Sequence, residues 1–546
     1  MKRNVQNAAM VLSVATILSG LPVAALAASP QALASNSAAT AATESIKLPA
    51  ATQKMVAALE KLEPGLKALT DRQVESSETY IYLDWLDPKR NGDYAFFTFD
   101  LKTGNLVSYE AYLTSWRTAQ KATDDTILKK VEQAVVEVWG ADKRKTMGNP
   151  SLSAYEEEET GDEMRELLIG SRTVFYPVLL NGLEINGGNF GIGFSTDLAG
   201  HIEEINVREA NLKDVKVPDV KTALTPEAVK KQYFNTAAFD LGYVQDGKDG
   251  KPGMHYVLRY APIFDATSGK LVDEWLGTEI ADDTKRKEAN FKNITLKPQA
   301  KSLAVKGEAD ARKLAASMFG MDMKEDDWYF SQEQDDQSVT YSFSNDDSDS
   351  VSLTVDAATG LVTDANHWEQ EVESKTVLSK EETLKKAISF IEPYAVSTSS
   401  NVQVEIYDPV KSAPLADWMK KIDKEMGVED EEEPGHIYGF SFNELYKNTP
   451  VLDRYYWVLV DSKNGKIVQF STTLPKKDAT FPEPKVAVTE QQAAESFVKN
   501  LPLKQSYIWP TYYGTKGPEL KLIYTIDTSK GWPYVDAVDG TLNWGE

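Results

Sequence analysis

The chain has 546 residues, with 59 Lys and Arg against 83 Asp and Glu, and a formal net charge of −24. This acidic balance argues against nucleic acid as a partner, because phosphate binding depends on Lys and Arg. Cysteine is absent, which excludes disulfides and thiolate metal sites. We therefore expect a fold held together by apolar burial, for which a chain of this length is ample.

The N-terminus has the pattern of a secretory signal peptide. Lys2 and Arg3 precede an apolar stretch that ends in a small-x-small cleavage signal at 25–27. We predict a signal peptide at 1–27 and a flexible leader rich in Ala, Ser and Thr at 28–50. No later stretch is long enough to cross a bilayer. The mature protein is expected to be secreted or extracellular, with cell-wall association as an option, and not integral to a membrane.

Amphipathic helical segments recur along the rest of the chain. Residues 124–139 place five apolar side chains on one helical face: Ile127, Val131, Ala134, Val135 and Val138. Other helices are predicted to begin near Thr225, Gly307, Ser379 and Thr489, and a weaker candidate covers 51–69. Capping-box patterns mark two of these starts, Ser379 with Glu382 and Thr489 with Gln492.

A single turn pattern recurs between the helices. An aspartate is followed four residues later by a glycine, with apolar, β-favouring residues on both sides. Aspartate bonds its own turn backbone, and glycine supplies the positive φ that closes a hairpin. The pattern occurs at Asp100/Gly104, Asp265/Gly269, Asp356/Gly360, Asp461/Gly465 and Asp536/Gly540, and Asp197/Gly200 is one residue shorter. We interpret these turns as structural hairpin turns that recur once in each unit of a repeating fold.

The spacing of helices and turns predicts a tandem duplication. Corresponding features are separated by offsets that only grow along the chain: 256 residues (123 to 379, 100 to 356), 264 (197 to 461, 225 to 489) and 271 (265 to 536). We predict two duplicated halves, 51–300 and 301–546, with an acidic insertion at 427–435. Each half would hold three modules, each a helix packed on a short antiparallel sheet. The predicted fold class is α+β.

Three stretches carry a family resemblance: "LTVDAATGLV" at 353–362, "WVLVDSKNGKIV" at 457–468 and "RYAPIFDATSGKLVD" at 259–273. A helix followed by strands that end in such a turn resembles the PepSY domain. Its multi-copy arrangement resembles the YcdB/YcdC repeat proteins of Gram-positive bacteria. Residues 173–197, with a turn at Asn181-Gly182, also resemble part of metallopeptidase propeptides.

The resemblance implies tandem PepSY-like modules in an extracytoplasmic protein. Some PepSY-type domains act as propeptides that inhibit or chaperone a peptidase, and others have no settled activity. The family has no catalytic residues to carry over to this sequence.

Patterns for catalysis are weak in this sequence. The four histidines, His201, His255, His367 and His436, are far apart and lack the His-Glu-x-x-His spacing of a zinc peptidase. No Gly-x-Ser-x-Gly elbow occurs, and the glycine-rich 187–194 lies between strands instead of preceding a phosphate-binding helix. We predict no catalytic and no cofactor-binding residues, and no cofactor.

Metal-binding patterns have simpler interpretations. His367, Glu369 and Glu371 alternate along a strand, which we interpret as an exposed strand end. A second set alternates like the ligands of an EF-hand, with Asp356 at the last ligand position: Asn345, Asp347 and Asp349. Ser350 stands where an EF-hand has glycine, and a strand pattern follows. We therefore predict solvated acidic loops here, at 246–253 and at 429–433, and no metal site.

Three functions remain open from the sequence. The leading hypothesis is a secreted, non-catalytic PepSY-like repeat protein that binds or modulates an extracytoplasmic protein, of which a peptidase is one candidate. The second is a cell-wall polymer binding protein that uses exposed aromatics, with Trp116, Trp275 and Trp368 as candidates and Trp457 more typical of a core. The third is an unrecognised hydrolase with paired carboxylates, for which the sequence indicates no pair.

Overall fold

The computed structural model describes residues 48–545 except for fifteen short gaps: 90–91, 117–120, 159–167, 187–189, 235–238, 245–250, 260, 281–289, 336, 347–348, 369–376, 396–399, 410–414, 428–434 and 474–479. The predicted signal peptide and most of the predicted leader lie outside the described residues. Within residues 48–545, apart from the gaps, no helix is both long enough and apolar enough to span a bilayer.

The helices of the described residues are short and mostly amphipathic. They are α1 (Ala50–Leu62), α2 (Asp124–Trp139), α3 (Ala141–Arg144), α4 (Pro226–Tyr233), α5 (Glu308–Phe319), α6 (Lys380–Ile391), α7 (Asp417–Met426) and α8 (Glu490–Asn500). The predicted helix starts are confirmed, and both capping boxes form at Ser379 and Thr489. The weaker candidate at 51–69 is too long, because the helix ends before Pro64 and a 3₁₀ turn follows.

The first sheet contains eight strands, each antiparallel to its neighbours. In spatial order they are β1-β2-β3-β4-β10-β9-β6-β5. Their bounds are β1 (Asp71–Ser76), β2 (Tyr80–Leu86), β3 (Tyr94–Asp100), β4 (Leu106–Tyr112), β5 (Ser151–Glu158), β6 (Leu168–Pro177), β9 (Gly191–Asp197) and β10 (Ile202–Arg208). Helices α1 and α2 pack on one face of this sheet and share its core, with Leu59, Val131, Phe97, Tyr109 and Phe194 fully buried.

The main part of the second sheet repeats this order. Its strands run β15-β16-β17-β18-β22-β21-β20-β19, with β14 beyond β19. Their bounds are β14 (Phe291–Thr295), β15 (Tyr329–Gln334), β16 (Ser338–Ser344), β17 (Ser350–Asp356), β18 (Val362–Trp368), β19 (Asn401–Tyr407), β20 (Ile437–Tyr446), β21 (Thr449–Asp461) and β22 (Ile467–Thr472). Helices α5 and α6 share its core, with Ala311, Ala387, Leu353, Phe440 and Phe470 fully buried.

The remaining strands form a third region that draws on distant parts of the chain. They are β7 (Leu179–Leu180), β8 (Leu183–Asn186), β11 (Phe239–Val244), β12 (Gly253–Leu258), β13 (Phe264–Asp265), β23 (Leu503–Ile508), β24 (Thr511–Tyr512), β25 (Thr515–Lys516), β26 (Lys521–Ile526), β27 (Trp532–Asp536) and β28 (Leu542–Gly545). Helices α4 and α8 contact each other here, and one core joins Phe239 and Tyr256 with Phe497, Tyr524 and Val535.

The architecture is α+β with mostly antiparallel sheets, as predicted, but the expectation of one short sheet per module is wrong. Strands β4 and β10 pair through Glu110 and Glu204, so the strands of the first two predicted modules form one sheet. Strands β18 and β22 pair in the same way. Such pairing satisfies backbone groups that would otherwise lie unpaired along two strand edges.

The predicted Asp–Gly turns are all present. The glycine φ angles are 69° at Gly104, 73° at Gly269, 66° at Gly360, 71° at Gly465 and 77° at Gly540, with 88° at the shorter Gly200 turn. In each of the five longer turns the glycine N–H donates to the aspartate carbonyl at 2.7 to 2.9 Å. In the turn of Asp356, its carboxylate also accepts from the N–H of Thr359 at 2.8 Å. The turns therefore serve as hairpin closures.

Replacing Gly360 by alanine tests the structural role of the turn. A Cβ there lies 3.0 Å from the carbonyl oxygen of Val305, and the φ of 66° is costly for a residue with a side chain. We expect Gly360→Ala to lower the free energy of unfolding by about 1–2 kcal/mol, measured by urea denaturation. Gly307→Ala is the control, because its Cβ meets nothing within 4 Å. Unchanged stability of Gly360→Ala would contradict this role.

Candidate binding surface

The four histidines lie apart and serve packing or turn contacts. His201 stacks on Trp116 with ring centroids 5.0 Å apart, and its Nδ1 lies 2.8 Å from Asp197. His367 is buried against Phe319. The expectation of an exposed strand end is therefore wrong at His367, which is 4% exposed. Glu369 and Glu371, which alternate with it in the sequence, lie outside the described residues. Among the described residues, no three His, Asp or Glu side chains are grouped closely enough to hold a metal ion.

The calcium-like segment is a hairpin loop between β16 and β17. Asn345 and Asp349 bond each other, since the N–H of Asp349 donates to Oδ1 of Asn345 at 2.9 Å. Asp347 lies outside the described residues. Asp356 is the turn aspartate at the far end of β17, and its carboxylate accepts hydrogen bonds within that turn. The structure therefore separates Asp356 from the loop instead of bringing a ligand set together.

Two carboxyls of the second sheet, Asp364 and Glu405, are largely shielded from solvent but lie far from each other. Glu405 instead shares the guanidinium of Arg259 with Asp240, which binds it at 2.8 Å. Burial raises the pKa of Asp364, which accepts from Ser471 at 2.5 Å. Burial also raises the pKa of Glu405, which binds Arg259 at 2.6 Å. The two carboxyls are four strand spacings apart, roughly 19 Å at ~4.8 Å per spacing. Hydrolytic carboxylate pairs lie within about 5–9.5 Å, so these two do not form one.

The open face of the first sheet, opposite its helices, displays aromatic side chains on three neighbouring strands. We call these five residues the aromatic face: Tyr80, Tyr82, Tyr94, Phe96 and Tyr112. Tyr80 and Phe96 are 37% and 39% exposed, and the others are half-buried. The ring centroid of Tyr94 lies 4.7 Å from that of Phe96 and 6.2 Å from that of Tyr112. These three rings form a contiguous group, and on the neighbouring strand the ring centroids of Tyr80 and Tyr82 lie 6.3 Å apart.

Carboxylates are interspersed with these rings. Asp84 and Glu110 pair with Phe96 from the two strands beside it, and Glu204 pairs with Glu110. The Tyr94 hydroxyl donates to Oε1 of Glu110 at 2.7 Å, and burial together with this bond raises the pKa of Tyr94 to about 12. Burial, with Glu75 nearby, raises the pKa of Asp84. Strands β2, β3 and β4 contain no Lys or Arg, so no cation on these strands neutralises the patch.

The second sheet carries different side chains at the positions of the same register. In the first sheet Tyr80 pairs with Asp100 and Leu86 with Tyr94; in the second, Ser338 pairs with Asp356 and Ser344 with Ser350. The residues that correspond to four members of the aromatic face are Ser338, Thr340, Ser350 and Ser352, which we call the polar face. The position of Tyr112 corresponds to Trp368, which pairs with Ser350. The two open faces therefore share a backbone arrangement and differ in chemistry.

The predicted tryptophans do not form an exposed row. Trp116 and Trp457 are buried, and Trp457 packs on Tyr407 with ring centroids 5.1 Å apart. Trp368 is half-buried, whereas Trp275 is 57% exposed. Sequence reasoning missed the aromatic face. Its signal is the presence of rings on both faces of the same strand, in "YIYLDWL" of β2 and again in "YAFFTFD" of β3. A half-buried strand normally alternates apolar and polar residues.

The fold and this open surface define an α+β protein whose sheets each present an open face. Residues 318–473 match the family model of the "YcdB, YcdC repeated domain". This segment includes the strands from β15 to β22, and over it the predicted resemblance to the YcdB/YcdC repeat family is confirmed. No curated protein shows significant sequence similarity to the chain.

Two solved structures are similar to parts of this chain. The C-terminal domain of Bacillus megaterium YpeB is 12% identical, with a TM-score of 0.26, and the match covers 44% of this chain and 98% of that domain. An uncharacterised protein from Eubacterium rectale is 10% identical, with a TM-score of 0.25, and the match covers 59% of this chain and 99% of that protein.

His255 gives the fold a testable pH dependence. It is 2% exposed, faces Asp536 at 3.8 Å, contacts the ring of Tyr534, and lies in the field of Asp539. Burial lowers its pKa below the ordinary value of 6.5. The unfolded chain therefore binds the proton first, and His255 contributes stability above pH 6.5 that is lost as the pH falls.

We expect His255→Ile to lose less stability than the wild type between pH 7.5 and pH 5.0, measured by urea denaturation at both values. Isoleucine is the matched replacement, because Ile523 pairs with Asp265 as His255 pairs with Asp536. Equal losses for the two proteins would show that His255 does not titrate differently on folding.

Proposed function

We propose that this protein is a secreted, non-catalytic repeat protein that binds an extracytoplasmic protein through the aromatic face. A peptidase is the partner class that the family resemblance suggests. The observation that carries the proposal is the difference between the aromatic face and the polar face at positions of matching register. Packing does not require rings on an open face. The rings of the first sheet at four positions where the second sheet has Ser or Thr therefore favour a contact specific to the first sheet.

The comparison of the two faces rests on a proposed duplication. The strand order of the first sheet is repeated in the second sheet by β15-β16-β17-β18-β22-β21-β20-β19, with β14 added beyond β19. The helices α1 and α2 have their counterparts in α5 and α6, and the turn at Asp100 has its counterpart at Asp356. We infer two halves, 51–300 and 301–546, each of PepSY-like helix-plus-sheet modules, with a second copy of the repeated domain before residue 318.

The chemistry of the aromatic face favours a cationic protein surface as the occupant. Tyrosine combines a large apolar ring with a hydroxyl and is enriched in protein interfaces. Lys and Arg side chains of a partner would lie over the rings as cation–π contacts and pair with Asp84, Glu110 and Glu204. The net charge of −24 would draw such a partner to the chain from a distance.

Cell-wall polymer is the second candidate occupant, because sugars also stack on exposed rings. The observation in its favour is the contiguous group of rings formed by Tyr94, Phe96 and Tyr112. Its weakness is charge, since the carboxylates among the rings would repel an anionic polymer. The protein partner therefore remains the proposal.

The test compares two double variants in crosslinked capture from wall and culture fractions of the producing cell. Tyr82→Thr with Phe96→Ser replaces two residues of the aromatic face by their counterparts on the polar face, Thr340 and Ser352. Thr340→Ala with Ser352→Ala is the matched control on the second sheet. We expect one protein to be captured by the wild type and the control, and its affinity for the Tyr82/Phe96 variant to fall at least tenfold. Binding should also weaken with added salt.

Two outcomes would reject a protein partner at this surface. One is capture that the aromatic-face variant retains in full, with thermal melting showing all three proteins folded. The other is pelleting with purified wall that the Tyr82/Phe96 variant alone loses, which would assign the face to wall polymer.

A further inference from the structure

The third region is built by strands that cross between the proposed halves. Strand β12 pairs with β27, through Tyr256 opposite Val535. Strand β13 pairs with β26, through Phe264 opposite Tyr524. The segments 259–263 and 527–531 that connect β12 to β13 and β26 to β27 are short enough for ordinary hairpins. Strands β12 and β13 nevertheless pair with β27 and β26 of the other half instead of with each other.

These pairings are reciprocal in register. Positions 254–256 correspond to 522–524, and positions 264–266 correspond to 535–537. The N–H of Ala537 donates to the carbonyl of Met254 at 2.9 Å, and the N–H of Ala266 donates to that of Leu522 at 2.8 Å. These two backbone contacts between the halves are therefore reciprocal.

Side chains repeat the same reciprocity. The Tyr256 hydroxyl donates to the carbonyl of Val488 at 2.8 Å, and the Tyr524 hydroxyl donates to that of Leu224 at 2.9 Å. Position 256 corresponds to 524 as 224 corresponds to 488. Both tyrosines reach the residue that precedes the N-cap of the other half's helix, α8 in one case and α4 in the other.

The edges of the third region are exchanged as well. Strand β11 runs parallel to the start of β21, with Tyr243 opposite Val451, and β23 runs parallel to β8, with Tyr507 opposite Ile185. The hydroxyls of Tyr243 and Tyr507 donate to the carbonyls of Pro482 and Pro218 at 2.7 and 3.0 Å. The third module of each half, which contains β11 in one half and β23 in the other, therefore lies beside the second module of the other half.

We propose that the two halves form a closed, strand-exchanged pair, so that the third module of a half is completed only by a second half of the same fold. The partner that this surface fits is therefore another copy of the repeat unit, and the chain carries that copy within itself. The inference rests on the duplication in the proposed function but not on the aromatic face. A chain cut between its halves would remain one particle.

Engineered disulfides in the full-length chain test the exchange. The sequence has no cysteine, so no native thiol can form a competing disulfide. Val257 pairs with Tyr534 across the exchange, next to the hydrogen-bonded pair of Tyr256 and Val535. Such non-hydrogen-bonded antiparallel pairs have Cα atoms about 4.5 Å apart, within disulfide reach. The reciprocal pair is Ile263 with Thr525, and Val257 with Ile263 is the pair expected if each hairpin kept its own third strand.

The chain is given a specific protease site between residues 285 and 286, ahead of β14, and is cut while folded. This position keeps β14 on the same fragment as its partner strand β19. We expect Val257→Cys/Tyr534→Cys and Ile263→Cys/Thr525→Cys to run as one full-length band without reductant and as two fragments with it. The control Val257→Cys/Ile263→Cys should run as two fragments in both cases and keep its thiols open to alkylation.

The proposal is overturned if the control pair oxidises while both exchanged pairs stay reduced, or if the cut, uncrosslinked fragments separate in native gel filtration. Having two exchanged pairs protects the test against the misfolding of one variant. Neither outcome alters the binding comparison of the aromatic and polar faces, so the two proposals fail independently.

Discussion

Backbone hydrogen bonding between strands that are distant in sequence is the constraint on which this structure depends. Strands β12, β13, β26 and β27 each pair with a strand from the other half of the chain. Without that strand, one edge would be unpaired and its backbone groups would lack partners. Their cross-pairing satisfies those groups and places Tyr256 and Tyr524 in one core. The third region therefore joins segments that precede the second sheet in the chain to segments that follow it.

The two large sheets show which positions packing controls. On the buried side the corresponding residues remain apolar, as in Ile81 and Val339, or Phe99 and Val355. On the open side no core restricts the side chain, and Tyr82 and Phe96 correspond to Thr340 and Ser352. Differences on that side are therefore free to follow what each surface contacts. The functional proposal therefore rests on the open faces and not on the cores.

Part of the acidic charge is structural. The carboxylate of Asp100 accepts from the N–H of Thr103 at 2.7 Å, and this bond lowers the pKa of Asp100. The carboxylate of Asp265 accepts from Thr267 and Ser268 in the same way, and these bonds outweigh its burial and lower its pKa. The carboxylates of such residues are bonded within their own turns and are not available as ligand groups. The acids of the proposed binding surface, such as Glu110 and Glu204 beside the aromatic rings, close no turn.

The sequence by itself determined the local features: the turns at Asp100 and Asp356, the capped helix starts, the α+β class and the family resemblance. These follow from short-range chemistry, since a cap or a turn is complete within about four residues. Only the tertiary structure decided that β4 joins β10, that β12 joins β27, and that Tyr94 and Phe96 share an open patch with Glu110. Those outcomes depend on which strand edges meet and in which register, and no residue pattern within one segment encodes its distant partner.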